Sequence, residues 1–343
     1  MTIARRDIAP EGAAGTYHCT ARCVRQARLC GADEGSGRNY DHRKEWVRER
    51  LQELAGVFAV DVLGYAAMSN HLHSIVRTQP AVAAGWGDEE VARRWLVLCP
   101  SKRMRQAGER QPAAADLGAV LERPGRVAEL RRRLSSLSWF MRCLDEHLAR
   151  RANREDGCTG RFWEGRYKCR ALADEAAVLT ALVYVDLNPI RAGVAATPEE
   201  SAWTSAWERI GGRPAAARAA EPMDEPGGWL CPMTDTADRR GVFRGLGRDE
   251  YLRLRDRAGR VARPGKPGVI PGELAPILER LALHPDHWAE AVRGYDGYFR
   301  RIVGRAVAVA AAAEAAGRRW FQGIAACRAL LGPPLPGGNP PNA

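Results

Sequence analysis

The nine cysteines of this chain are odd in number and include no C-x-x-C pair, which excludes a paired disulfide framework and leads us to expect a reducing setting. His18, Cys19, Cys23 and Cys30 hold zinc-competent atoms, but their spacing matches no common ligand pattern. Long apolar runs are missing as well. The longest, Ala306 to Ala313, falls far short of the ~18 residues that a membrane span needs. Met1 to Gly15 carries Arg5, Arg6 and Asp7 and lacks an apolar core, so it does not read as a signal peptide. No G-x-x-x-x-G-K-[ST] phosphate loop and no internal repeat occur, and we therefore expect no nucleotide cofactor. Together these gaps predict a soluble cytoplasmic protein without a membrane partner.

Lysine is scarce too, at four residues (Lys44, Lys102, Lys168 and Lys266) among 52 lysines and arginines. Against 41 acidic residues the formal charge is +11, an excess that suits a polyanionic partner or a merely solvated basic surface. Its placement is uneven. Residues 91 to 170 hold 19 cations against 9 anions, which is +10 of the total.

At about 150 residues per domain, 343 residues predict two domains. TYHCTARCV (Thr16 to Val24) alternates like a strand, and RKEWVRERLQELAG (Arg43 to Gly56) places Trp46, Val47, Leu51 and Leu54 at helical spacing. Val57 to Met68 and His71 to Thr78 read as two strands about a turn at Ser69-Asn70. Residues 80 to 133 read as an insertion with at most short helices, followed by one long helix from Leu134 to Asn153 and a break at Gly157 to Gly160. Arg161 to Leu172 has strand character, and Asp174 can cap a helix running to about Leu187, where Asn188-Pro189 should end it. Gly211 to Gly228 is the best linker candidate. Beyond it, Asp249 to Ala258, Pro271 to Leu283, Asp286 to Val303 and Ala306 to Leu331 read as helices, before a Pro- and Gly-rich tail from Gly332 that should be disordered. The expected division is a domain over 16–210, a linker over 211–248, a helical accessory domain over 249–331 and a tail over 332–343.

Two elements carry chemistry. His71 and His73 stand two apart in a predicted strand, so their imidazoles share one sheet face and could chelate one divalent metal; two ordinary histidines fit equally well. Tyr184 and Asn188 lie one helical turn apart, about 5–6 Å at Cβ. If that face packs beside His71, the Asn188 amide oxygen could be a third ligand with the Tyr184 hydroxyl nearby. Alternatively, Tyr184 is a core aromatic and Asn188 a helix cap.

Taken in order, the segments YHCTAR (Tyr17 to Arg22), MSNHLHSIV (Met68 to Val76), GRFWEGRYK (Gly160 to Lys168), YVDLNPIRAGV (Tyr184 to Val194) and AWTSAW (Ala202 to Trp207) resemble the single-tyrosine HUH transposases, specifically the REP-associated tyrosine transposases and their chromosomal relatives. The likeness covers about residues 16 to 210, with the 80–133 stretch longer than in compact members. It implies an α+β fold, a ferredoxin-like antiparallel sheet with helices packed on one side. It further implies metal ligands at His71, His73 and Asn188, binding Mg²⁺ or Mn²⁺, and a nucleophile at Tyr184 that cleaves and rejoins single-stranded or hairpin DNA through a 5′-phosphotyrosine. Family members include dimers that exchange their tyrosine helices, so a homodimer, with Tyr184 serving either subunit, is an open expectation.

The basic region suits a DNA path near the nucleoid. Arg93 and Arg94 with Trp95, and Arg161, Arg166 and Lys168 with Phe162, Trp163 and Tyr167, interleave cations for phosphates with aromatics for unpaired bases. Phe162 and Trp163 could equally be core. Arg166 and Lys168 alternate onto one face and are the better phosphate ligands. A catalytically silent hairpin-binding regulator of the same fold is the competing reading. A small-molecule metal hydrolase lacks a further carboxylate or histidine at a known spacing.

Overall fold

The computed structural model describes residues 7–24, 29–33, 37–197, 200–211, 228–237, 239–261, 278 and 281–332. Most of the Gly211 to Gly228 linker candidate, most of the expected Pro271 to Leu283 helix and the tail beyond Gly332 lie outside the described residues.

The described strands are β1 (Gly15–Arg22), β2 (Val60–Ala67), β3 (His71–Thr78), β4 (Lys168–Leu172) and β5 (Ile302–Val303), in the sheet order β2-β3-β1-β4-β5. The first four pair antiparallel throughout, whereas β5 runs parallel to β4. Helix α1 (Arg43–Val57) joins β1 to β2. Five short helices fill the insertion: α2 (Pro80–Gly85), α3 (Asp88–Leu98), α4 (Lys102–Ala107), α5 (Ala114–Leu121) and α6 (Arg126–Leu134). After them come α7 (Leu137–Glu155), α8 (Glu175–Asp186), α9 (Asn188–Arg191) and α10 (Ser205–Arg209). The C-terminal part supplies α11 (Arg248–Val261), α12 (Pro285–Arg293), α13 (Tyr295–Tyr298), α14 (Ala306–Ala315) and α15 (Ile324–Leu331).

Strand alternation divides the core in two. Tyr17, Cys19 and Ala21 of β1 and Leu72 and Val76 of β3 pack with Val47, Leu51 and Leu54 of α1 and Phe140, Leu144 and Leu148 of α7. Ile75, Leu63 and Leu172 face the other way, into a second core with α8 and the C-terminal helices. Helices therefore cover both faces rather than one. The cause is α8 itself: Ala176 through Asp186 are all buried, and a helix that is apolar on every side needs a layer beyond the sheet. Residues of α11 to α15 provide it.

Asp174 caps α8, accepting from the Ala177 N–H at 2.8 Å. At the other end α8 gives way at Leu187 to the single turn α9, with Pro189 in its first positions. Gly64 lets α8 approach β2, because a Cβ there would stand 2.5 Å from Leu182 Cδ2 and 2.9 Å from Ser205 Oγ. Asp186, fully buried, fixes the helix end by accepting from Ser205 Oγ at 2.6 Å, Ala206 N–H at 3.1 Å and Tyr251 Oη at 2.5 Å.

Three expected elements are shorter than their patterns suggest. The strand expected from Arg161 is confined to Lys168–Leu172, since Phe162 and Trp163 turn into the α7 core and the Trp163 indole donates to the Asp145 carbonyl at 2.8 Å. The helix expected over Asp286 to Val303 stops so that Ile302 and Val303 can pair with Ala171 and Leu172. The one expected over Ala306 to Leu331 divides at Gly317 (φ 63°) and Gly323 (φ 98°), where left-handed backbone favours glycine.

Replacing Asp186 by Ala strips the acceptor from three buried donors and is expected to cost about 3 kcal/mol. Urea denaturation measures this, and a loss below about 1 kcal/mol would show that the helix end is held by other contacts.

Candidate active site

Side chains on one sheet face build the site. In β1 the face carries His18, Thr20 and Arg22; in β3 it carries His71 and His73; in β4 it carries Lys168 and Arg170. Antiparallel register sets Thr20 opposite both His73 and Lys168. Over this face α8 lays Tyr184, while α9 begins with Asn188. All nine line one cavity of about 930 Å³, together with Glu164, Arg166, Asp296, Arg300 and Arg301.

The His71 and His73 rings lie 4.8 Å apart at their centroids, and the Tyr184 ring stands edge-on 5.8 Å from His73. Tyr184 thus meets the histidines within one chain. Asn188 Nδ2 donates to the Tyr184 carbonyl at 3.4 Å. The Tyr184 hydroxyl donates to Asp296 Oδ2 at 2.5 Å, its ring stacks on Tyr295 at 4.6 Å, and the Arg191 guanidinium lies 5.3 Å from the ring centre.

The donor set suits a small divalent cation. Asn70 Oδ1 accepts from His71 Nδ1 at 2.8 Å, which leaves His71 Nε2 with a lone pair. His73 Nδ1 is engaged by His18 Nε2 at 2.9 Å and Thr20 Oγ1 at 3.2 Å, whereas its buried Nε2 has no hydrogen-bond partner among the described residues. Metal-binding imidazoles are commonly held in this way through their second nitrogen. Among the described residues no three His, Cys, Asp or Glu side chains gather into a metal group. Asn188, whose amide oxygen is a candidate third donor, lines the same cavity. The alternative zinc set is dispersed, since Cys19 packs into the α1 core on the face opposite His18.

Of the cations singled out in the sequence, Arg166 and Lys168 line the cavity, whereas Arg93, Arg94 and Arg161 do not. Arg93 and Arg94 pair with Glu89 and Glu90 one turn back, and Arg94 also donates to the Gly56 and Val57 carbonyls. Arg161 is exposed, while Phe162 and Trp163 are core. Sequence reasoning considered His18 only within the Cys19, Cys23 and Cys30 zinc set and passed over Thr20, Arg22 and Arg170, although period-two alternation in β1 and β4 puts all four on the histidine face. It also passed over Asp296, Arg300 and Arg301, for which no local pattern exists.

Burial governs the charge states. It lowers the His18 pKa to about 3, with Arg170 adding to the effect, and holds His73 well below 6.5 with help from His18 and His71. His71 is lowered by burial and by Arg22. In all three the shift favours the neutral imidazole, the form that can ligate a metal. Burial and the Asp296 charge push the Tyr184 phenol upward. Burial would raise the Asp296 carboxyl, but the Tyr184 hydrogen bond and the Arg170 charge bring it below its ordinary value.

No protein-family model matches the chain, and no curated protein matches it. A solved structure of a REP-associated tyrosine transposase bound to a REP hairpin aligns over 71% of this chain and 99% of its own, at 13% identity and a TM-score of 0.36. So slight a likeness carries no argument about fold or site.

Unfolded His18 takes a proton near pH 6.5 and folded His18 only near pH 3, so between these values the unfolded state binds more protons and stability falls as pH falls. With a chelator present, His18→Asn should show a shallower loss between about pH 6 and pH 4, by up to about 1.4 kcal/mol per pH unit. Denaturation at several pH values checks this, and equal slopes would refute it.

Proposed function

We propose that this protein is a metal-dependent single-strand DNA nickase and strand transferase that acts at hairpin-forming repeats through a 5′-phosphotyrosine on Tyr184. One observation carries the reading: His71, His73, Asn188 and Tyr184, distant in sequence, line a single cavity with Arg166 and Lys168. The β2-β3-β1-β4 order, antiparallel throughout, supports the ferredoxin-like arrangement that the sequence resemblance implies. The hairpin as substrate is taken from that resemblance.

In this reading His71, His73 and the Asn188 amide oxygen hold Mg²⁺ or Mn²⁺, which suits their mixed nitrogen and oxygen donors. The bound cation would supply Lewis-acid polarisation of the scissile phosphate. Tyr184 presents its hydroxyl to phosphorus; the Oη–P bond forms as the P–O3′ bond breaks, leaving a free 3′-hydroxyl. The phosphotyrosyl ester conserves the bond energy, so a second 3′-hydroxyl can reverse the step without a nucleotide. Arg22, Arg166 and Lys168 neutralise the incoming backbone, while Glu164, paired with Arg22 at 3.5 Å, limits the positive field.

A labelled single-stranded hairpin oligonucleotide with Mn²⁺ should give a covalent protein adduct that chelator, His71→Ala or Tyr184→Phe abolishes. Adduct from the Tyr184→Phe variant would refute the assignment. Hairpin binding unchanged in these variants, with no adduct from the wild type, would indicate the silent regulator instead. Lys168→Ala should weaken binding and reduce the slope of log affinity against log salt by about 0.7, the value for one single-strand phosphate contact. Titrations at several salt concentrations measure the slope.

A further inference from the structure

Tyr184 needs more than position. Its hydroxyl donates a hydrogen bond and so carries a proton, and attack on phosphorus requires that proton to leave as the Oη–P bond forms. The surroundings offer few acceptors. His73 Nδ1 is already engaged by His18 and Thr20, and in the proposed function the Nε2 atoms of His71 and His73 are taken up by the cation. Arg191 over the ring has no acceptor atom. The group that receives the hydroxyl hydrogen bond is Asp296, at 2.5 Å from Oδ2 and 112 residues away in sequence.

Asp296 is held for this task from two sides. Its other oxygen, Oδ1, accepts from Arg170 Nη1 at 2.6 Å. Arg170 Nε in turn donates to the Arg300 carbonyl at 3.0 Å, and the Ala171 N–H donates to the Arg301 carbonyl at 2.9 Å as β5 joins the edge of β4. The C-terminal segment is thus bound to the strand that carries Arg170, and the carboxylate stands between that strand and the tyrosine. Its side chain is 57% exposed, so a proton received there can pass to solvent.

We infer that Asp296 is a catalytic residue, accepting the Tyr184 proton on Oδ2 as Oη attacks phosphorus. The inference rests on the function proposed above. In the cleavage step the P–O3′ electron pair leaves with the 3′-oxygen, which takes a proton from water. In the joining step the directions reverse: the 3′-hydroxyl attacks and gives up its proton to water, the Oη–P bond breaks, and Asp296, protonated on Oδ2 either still or again from solvent, returns a proton to the tyrosine oxygen. The C-terminal segment therefore completes the active site in addition to covering α8. This also accounts for an acidic residue in a cavity otherwise suited to a polyanion, because Arg170 offsets its charge and only the oxygen facing Tyr184 is free to take up a proton.

The test uses the full chain, Mn²⁺ and the labelled hairpin oligonucleotide, measuring adduct rate and hairpin affinity separately. Asp296→Asn and Asp296→Ala should slow adduct formation about 100-fold or more with affinity within about threefold of wild type, in the range of a lost general base. Because the site is open to solvent, added formate should restore the Asp296→Ala rate at least about tenfold while leaving Asp296→Asn, whose amide fills the space, unrestored. Melting curves confirm that both variants are folded. Wild-type or faster rates in either variant would overturn the inference and show that Asp296 merely sequesters the hydroxyl. A slowed Asp296→Ala variant that formate does not restore would overturn it in favour of a positioning role. Wild-type adduct with unaffected variants removes this inference alone, whereas absence of wild-type adduct removes the proposed function together with it.

Discussion

The placement of Tyr184 depends on a buried carboxylate two residues further along. Asp186 lies in the last turn of α8, where the helix dipole disfavours negative charge, and it has no exposed surface. It is tolerated because the Ser205 hydroxyl, the Ala206 N–H and the Tyr251 hydroxyl all donate to it. Those donors come from α10, which packs on β2, and from α11 in the C-terminal layer. The same three bonds that satisfy the carboxylate therefore set the depth and rotation of α8 between sheet and C-terminal helices. With Asp186 turned toward Ser205, Tyr184 is turned toward His73.

Layering explains why the site closes. The sheet face bearing His18, His71 and His73 would be an open surface if α8 alone lay on it. Trp288 of α12 donates its indole N–H to Thr180 of α8 at 3.1 Å, and Arg191 of α9 donates to the Val292 carbonyl at 2.7 Å, so the C-terminal helices are tied to both ends of the tyrosine segment. The pairing of β5 with β4 then brings Tyr295 and Asp296 against Tyr184. The result is a cavity whose floor is sheet and whose walls come from opposite ends of the chain.

Charge is distributed less simply than the composition suggests. Many arginines between residues 91 and 170 are paired within the helical insertion and α7: Arg103 with Asp116 and Glu109, Arg126 and Arg133 with Glu129, Arg131 with Asp88, and Arg150 with Glu146. Arg133 also lies 4.1 Å from the Trp139 ring centre and 5.3 Å from that of Trp95. These cations hold helices together. The positive lining of the cavity comes from Arg166, Lys168 and Arg170 at the end of that stretch, joined by Arg22 from β1 and Arg300 and Arg301 from far downstream.

Much of the architecture was legible because local patterns carry it. Alternation marked β1 and β3 to within a few residues, Asp174 and Pro189 marked the limits of α8, and the two-residue spacing of His71 and His73 already put both on one face. Such features depend only on backbone periodicity and on the fixed geometry of proline and capping residues. What the sequence could not contain was which aromatic residues would be core and which site. Phe162 and Trp163 share a motif with Arg166 and Lys168, yet the first two turn into the α7 core and the last two face the cavity. Nor does any local spacing link Asp296 to Tyr184. That contact follows from a two-residue parallel pairing and a second helical layer, whose free energy comes from burying α8 on every side, a non-local and non-directional term that only the folded chain can express.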